Sequence, residues 1–188
     1  MNQEELIKAC IKGSPEAQMI LYEQYSPILR GVSYRYVREV SDLEDIVQDS
    51  FIKILSSIKK FDSKGSFDGW LKRIAINTAI SFLRKEKRLP KAELSDSLTE
   101  DDNVDLEKDQ SQSEKLLSEK ELTQDEIMIA ISRLPDDYRV VFNMYVFENY
   151  KHKEIAELLN IRENTSKSKL MRARKLVQDE LIKMKTNR

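Results

Sequence analysis

Between Arg162 and Arg172 the chain sets Asn164, Thr165, Ser166, Lys167, Ser168 and Lys169 side by side. Amides and hydroxyls hydrogen-bond base edges and cations hydrogen-bond phosphate oxygens, so this run suits the surface of a nucleic acid. A second set, Arg73, Ile76, Asn77, Ile80 and Arg84, falls on one face at helical spacing. Cations interleaved with apolar and amide groups match a single strand, whose charged backbone and unstacked bases are both open to contact. A third set, Asp45, Gln48, Asp49 and Ile52, puts one apolar side chain among acids and an amide on one helical face. That pattern fits a protein-docking surface, where an apolar anchor sits inside a polar rim.

Bond-making chemistry has less to work with. The 188 residues contain one His (His152) and one Cys (Cys10), too few for a Cys/His zinc site, a disulfide framework or a His-assisted nucleophile. Both read as structural or surface residues. Asp42, Glu44, Asp45 and Asp49 invite comparison with a metal-dependent nuclease. They crowd the first turns of one helix, however, where the macrodipole alone favours acids. No His or Lys constellation accompanies them, so no enzyme activity, metal or cofactor is expected.

The elements that must position these residues are helices. Only 4 Gly and 4 Pro are present, against hairpins, Gly-rich phosphate loops and many-turned β architectures. Ser14-Pro15 and Ser26-Pro27 each place an N-cap before a Pro at the first helical position, predicting two helix starts. Ser41-Asp42-Leu43-Glu44 reads as a capping box, followed by a stripe of Leu43, Ile46, Val47, Phe51, Ile54, Leu55 and Ile58. Residues 61–66 break the period as a loop. A long helix then buries Phe67, Trp70, Leu71, Ile74, Ala75, Thr78 and Phe82 and stops at Leu89-Pro90. Thr123-Gln124-Asp125-Glu126 is a second capping box, and Pro135 separates two further helices.

Near-neutral net charge conceals segregation. Residues 1–90 carry a net +3, residues 91–125 a net −8 and residues 126–188 a net +4. The acidic stretch is rich in Ser, Asp and Glu and poor in aromatics, the composition of an extended linker. The expected architecture is all-α: a helical domain over residues 1–90, a linker over 91–122 and a second helical domain over 123–188. With an acidic start and no apolar run of membrane length, the chain is expected to be cytoplasmic.

Residues 152–180 have the form of a helix–turn–helix. His152–Leu159 makes a short amphipathic helix, Asn160-Ile161-Arg162 a compact turn and Glu163 onward a second helix. Asn160 stands where a left-handed C-cap is needed, and Asn tolerates that conformation. Ala156 permits close helix approach and Ile161 fills the corner. In such a motif the first turns of the second helix enter the major groove.

In their order and separation these pieces resemble a bacterial RNA polymerase sigma factor of the extracytoplasmic-function group. The resemblance rests on Asp42-Leu43-Glu44-Asp45-Ile46-Val47-Gln48-Asp49-Ser50-Phe51, on Phe67-Asp68-Gly69-Trp70-Leu71-Lys72-Arg73-Ile74-Ala75-Ile76-Asn77, and on Leu134-Pro135-Asp136-Asp137-Tyr138-Arg139 followed by the helix–turn–helix. It implies a first domain like sigma domain 2 and a second like sigma domain 4. It further implies that Asp45, Gln48, Asp49 and Ile52 dock on core RNA polymerase. Ser63, Lys64, Phe67, Arg73, Asn77 and Arg84 would capture the melted −10 strand of promoter DNA. Arg162, Asn164, Thr165, Ser166, Lys167, Lys169 and Arg172 would read the −35 duplex. The linker would thread the polymerase's RNA path, and an anti-sigma factor would be a further partner. The competing reading is a stand-alone helix–turn–helix regulator that binds duplex DNA without polymerase, which leaves residues 41–88 with no role.

Overall fold

The computed structural model describes residues 2–62, 65–86, 88–89 and 122–186. The described residues form eight α-helices and no strand, as an all-α chain requires. They divide into two compact units, Met1–Lys87 and Arg88–Arg188. The linker expected over residues 91–122 lies, apart from Leu122, outside the described residues.

The first unit begins with α1 (Gln3–Ile11), opened by a reciprocal capping box between Asn2 and Glu5. Leu6 and Cys10 are its buried residues. It closes in a Schellman turn: the Gly13 amide donates to the Cys10 carbonyl and the Ser14 amide to the Ala9 carbonyl. Gly13 holds φ at 83°, a conformation in which a Cβ would crowd the following carbonyl. Ser14 then caps α2 (Pro15–Tyr34), accepting from the Ala17 amide, with Pro15 in the first turn.

Two sequence expectations fail in this unit, for physical reasons. No helix starts at Ser26-Pro27; α2 runs straight through, with Pro27 inside it. Pro27 cannot donate to the carbonyl one turn back, a loss of about 3 kcal/mol in an isolated helix. Its ring faces solvent, while Tyr25, Leu29 and Val32 on either side of it are buried, and their packing carries the helix through. Nor does Ser41 cap α3 (Val40–Ser57), which starts two residues earlier behind Glu39 with no side-chain cap bond. Glu44, the expected capping partner, is instead held by Arg30 of α2 through two contacts, Nη1 to Oε1 and Nη2 to Oε2, the latter 2.8 Å. A bidentate charge-assisted pair outcompetes one bond to a neutral amide.

A short 3-10 turn (Ile58–Lys60) follows α3. Then α4 (Phe67–Lys85) starts at Ser66, whose hydroxyl accepts from the Gly69 amide. Because α4 packs on both α2 and α3, its buried surface is wider than a single stripe. Phe67, Leu71, Ala75 and Thr78 are buried as expected, but so are Ile76, Ala79, Ile80 and Leu83.

The second unit contains α5 (Gln124–Ser132), α6 (Asp136–Val146), α7 (His152–Leu159) and α8 (Glu163–Thr186). The capping box at Thr123 forms as read, with Thr123 and Glu126 exchanging bonds. The long α8 packs against all three other helices. Arg139 is 1% exposed; its Nη2 donates to Asp136 Oδ1 at 2.6 Å and its Nη1 to the Ser132 carbonyl at 3.1 Å. The planar guanidinium thereby ties the end of α5 to the start of α6, a task for which a flexible ammonium is poorly shaped.

The positive φ at Gly13 carries a prediction. Gly13→Ala should destabilise the first unit by about 1–2 kcal/mol although open space surrounds the position. Trp70 is the chain's one tryptophan, so its fluorescence during urea unfolding reports this unit alone. An unchanged midpoint would show that the turn tolerates a Cβ.

Candidate functional site

Three surfaces gather the candidate residues. On α3, Asp45, Gln48, Asp49 and Ile52 are all exposed on one face, with Ile52 at 66%. Leu43, Ile46, Val47, Phe51 and Ile54 are buried on the other side and fix the helix in place. Arg30 holds the neighbouring Glu44 carboxyl below its usual range through their hydrogen bonds and charge. Asp42, Glu44, Asp45 and Asp49 do not converge. Glu44 turns toward α2, and among the described residues no group of three His, Cys, Asp or Glu side chains is spaced to hold a metal ion.

On α4, Arg73, Asn77 and Arg84 are exposed and share a face with Ser81, whose hydroxyl donates to the Asn77 carbonyl at 2.8 Å. Ile76 and Ile80 do not belong to that face. They are 1% and 2% exposed, because α2 and α3 together cover more of the helix than one neighbour would. Phe67 is likewise 3% exposed, which corrects its assignment as a DNA contact. Its ring lies edge-on to Tyr25 at 5.4 Å, against Phe61 at 5.1 Å and stacked with Trp70 at 5.8 Å. Phe67 is therefore an aromatic prop beneath the start of α4. Ser63 and Lys64 lie outside the described residues. Sequence reasoning passed over Phe61, half-buried at the loop's edge with its ring 5.6 Å from Trp70. The aromatic spacing 61–67–70 was the available signal.

The third surface is the helix–turn–helix. Asn160 adopts φ 54°, ψ 49°, and the Ile161 amide donates to the Ala156 carbonyl at 3.0 Å. The expected left-handed corner therefore forms, with Ile155 and Ala156 buried beneath it. Along α8 the outward positions include Asn164, Lys167 and Arg172, with Arg162 exposed just ahead of the helix and Thr165 half-buried. Lys167 pairs with Glu163 one turn back at 2.8 Å.

Two candidates on α8 point elsewhere. Ser166 is fully buried, and its hydroxyl shares a 2.9 Å hydrogen bond with His152 Nδ1. It cannot reach a base edge; with α6 and α7 packed against it, that side of α8 is interior. Lys169 is half-buried, its Nζ 2.5 Å from Asp137 Oδ2 and 5.1 Å from the centre of the Tyr138 ring. His152, read from sequence as structural or surface, turns out to be a linchpin. Its ring stacks on Tyr145 of α6 at 4.7 Å, and the Arg174 guanidinium lies 5.8 Å from the centre of that same Tyr145 ring. One imidazole thus ties α6, α7 and α8 together. The pairing of His152 with Ser166 across 14 positions has no local sequence signal, which explains why it was missed.

Comparison with known proteins fits this geometry. The family profile described as Sigma-70 region 2 matches residues 21–89, and that described as Sigma-70, region 4 matches residues 124–177. The ECF RNA polymerase sigma-E factor of Haemophilus influenzae is 31% identical over 187 residues, covering 96% of each chain. The chain belongs to the ECF group of the sigma-70 family. The RNA polymerase sigma-H factor of Pseudomonas aeruginosa is 28% identical over 182 residues, covering 95% of this chain and 93% of that one. The sigma factor RpoE of Bartonella quintana, solved in complex with the anti-sigma factor NepR, shares the fold. Its TM-score is 0.53 at 19% identity, over 87% of this chain and 95% of that one. Within this ECF sigma factor every candidate residue falls inside one of the two matched stretches. Among the described residues no helix is long and apolar enough to cross a membrane.

His152 makes the second unit sensitive to acid. Burial, reinforced by Lys167 and Arg174 and opposed by Glu163, lowers its pKa below the ordinary 6.5. The unfolded chain therefore binds this proton more readily than the folded one. The resulting stability is fully present above pH 6.5 and is lost as pH falls from there through the lowered value. The melting temperature should drop more steeply from pH 7 to about pH 5 in the wild type than in His152→Phe, which keeps a ring on Tyr145. Equal slopes by circular dichroism would refute this role.

Proposed function

We propose that this chain is a promoter-specificity subunit that binds core RNA polymerase and directs where transcription starts. The α3 face of Asp45, Gln48, Asp49 and Ile52 docks on the polymerase. The α4 face of Arg73, Asn77 and Arg84, with the loop that holds Ser63 and Lys64, captures the melted −10 strand. The outward side of α8, led by Asn164, Thr165 and Lys167 with Arg162 and Arg172, reads the −35 duplex. An extruded −10 base costs a few kcal/mol to unstack, which contacts from the loop and the α4 cations offset. The observation that supports the reading is that each matched region presents an exposed polar and cationic face, Arg73, Asn77 and Arg84 on α4 and Asn164, Lys167 and Arg172 on α8.

Each unit is small and its cationic stripe short, so duplex binding by the chain alone is weak. Avidity arises once polymerase holds both units at promoter spacing. The homologous fold solved with an anti-sigma factor supports a partner of that kind here, silencing the chain until it is released. The stand-alone regulator reading would leave the exposed α3 face and the whole region 2 match without a task.

Run-off transcription on fragmented genomic DNA, with core polymerase and with or without the chain, tests the proposal. Discrete new transcripts are expected, and their absence together with tight duplex binding by the chain alone would favour the regulator. Ile52→Glu should weaken capture of core polymerase by about tenfold or more while leaving the unfolding midpoint unchanged, since the side chain is largely exposed. Capture at wild-type strength would remove α3 from the docking surface.

A further inference from the structure

Lys169 sits at the flank of the outward stripe of α8, four residues after Thr165 and three before Arg172. Side chains at those intervals are neighbours on a helix surface, so its stem starts within reach of a duplex lying along that stripe. Its ammonium nevertheless points back into the unit, 2.5 Å from Asp137 Oδ2 on α6 and beside the Tyr138 ring. The two side chains are 19% and 23% exposed. Lys167 differs: its pair with Glu163 leaves it 54% exposed on the outer face. The two lysines of this segment are therefore in different states, one open to solvent and one committed.

We propose that Asp137 withholds Lys169 from promoter DNA, so that the carboxylate acts as a built-in restraint on duplex affinity. The inference rests on the reading of α8 as the −35 helix. When polymerase presses the duplex against α8, Lys169 exchanges the Asp137 carboxylate for a backbone phosphate. Both acceptors are anionic oxygens, and the four-carbon stem of lysine can swing between them without moving the helix. The pair lies at an edge that solvent reaches, so the carboxylate left behind is rehydrated. In the free chain the restraint removes one cation from the electrostatic attraction that governs non-specific DNA binding. Asp137 and Tyr138 are thereby affinity-setting residues for a contact that neither makes directly.

Anisotropy of a labelled mixed-sequence duplex, titrated with the full chain between about 50 and 200 mM salt, tests this in five proteins: wild type, Asp137→Asn, Lys169→Ala, the double variant and Lys167→Ala. Asp137→Asn should bind severalfold more tightly, with a salt slope steeper by about 0.9, the value for one added phosphate contact. Lys169→Ala alone should change little, and in the double variant it should abolish the gain. A gain that survives in the double variant would mean that Asp137 merely repels DNA, overturning the exchange. So would an unchanged Asp137→Asn, or a Lys169→Ala defect as large as that of Lys167→Ala. Lys167→Ala isolates the parent reading, because its failure to weaken binding would remove α8 from the DNA whatever Asp137 does. If Asn at position 137 lowers the melting temperature, Asp137→Ser makes the same comparison.

Discussion

Each unit contains a helix that buries itself against more than one neighbour. α4 packs on both α2 and α3, which also pack on each other, and α8 is packed by α5, α6 and α7. Along α4 solvent reaches one stripe, which holds Arg73, Asn77 and Arg84, whereas α8 leaves a broader outer face, which holds Asn164, Lys167 and Arg172. The same apolar burial that holds the units together sets the direction of these side chains. A site on such a helix inherits the rigidity of the core beneath it.

The helical class, the capping box at Thr123, the left-handed Asn160 and the exposed α3 face were legible because each depends on residues within one or two turns. Errors arose where a distant residue intervened. Arg30, fourteen positions away, took Glu44 from its expected cap. The packing of α2 on α3 and α4 carried it past Pro27. Ile76 and Ile80 look like members of an outward face until two neighbouring helices, not one, are set against α4. Ser166 shows the same failure in polar form, since a buried hydroxyl bonded to His152 and an exposed one read identically in a one-dimensional run.

The electrostatics of the second unit are more balanced than its net charge suggests. Glu163 and Asp137 each answer one lysine of α8, and Arg133 is paired with Glu180 further along the same helix. The most exposed of these pairs, Lys167 with Glu163, adds little to stability. The pairs' larger effect is on how much positive potential the surface projects into solvent.

Cys10, buried in the face of α1 that packs inward, has its thiol pushed up by desolvation. Thiolate is the form that reacts with peroxides and disulfides, so this sulfur is a poor target for oxidants as long as the first unit stays folded. It is the chain's single cysteine. An oxidative signal carried by thiol chemistry therefore finds no ready receiver in this chain while the first unit is folded.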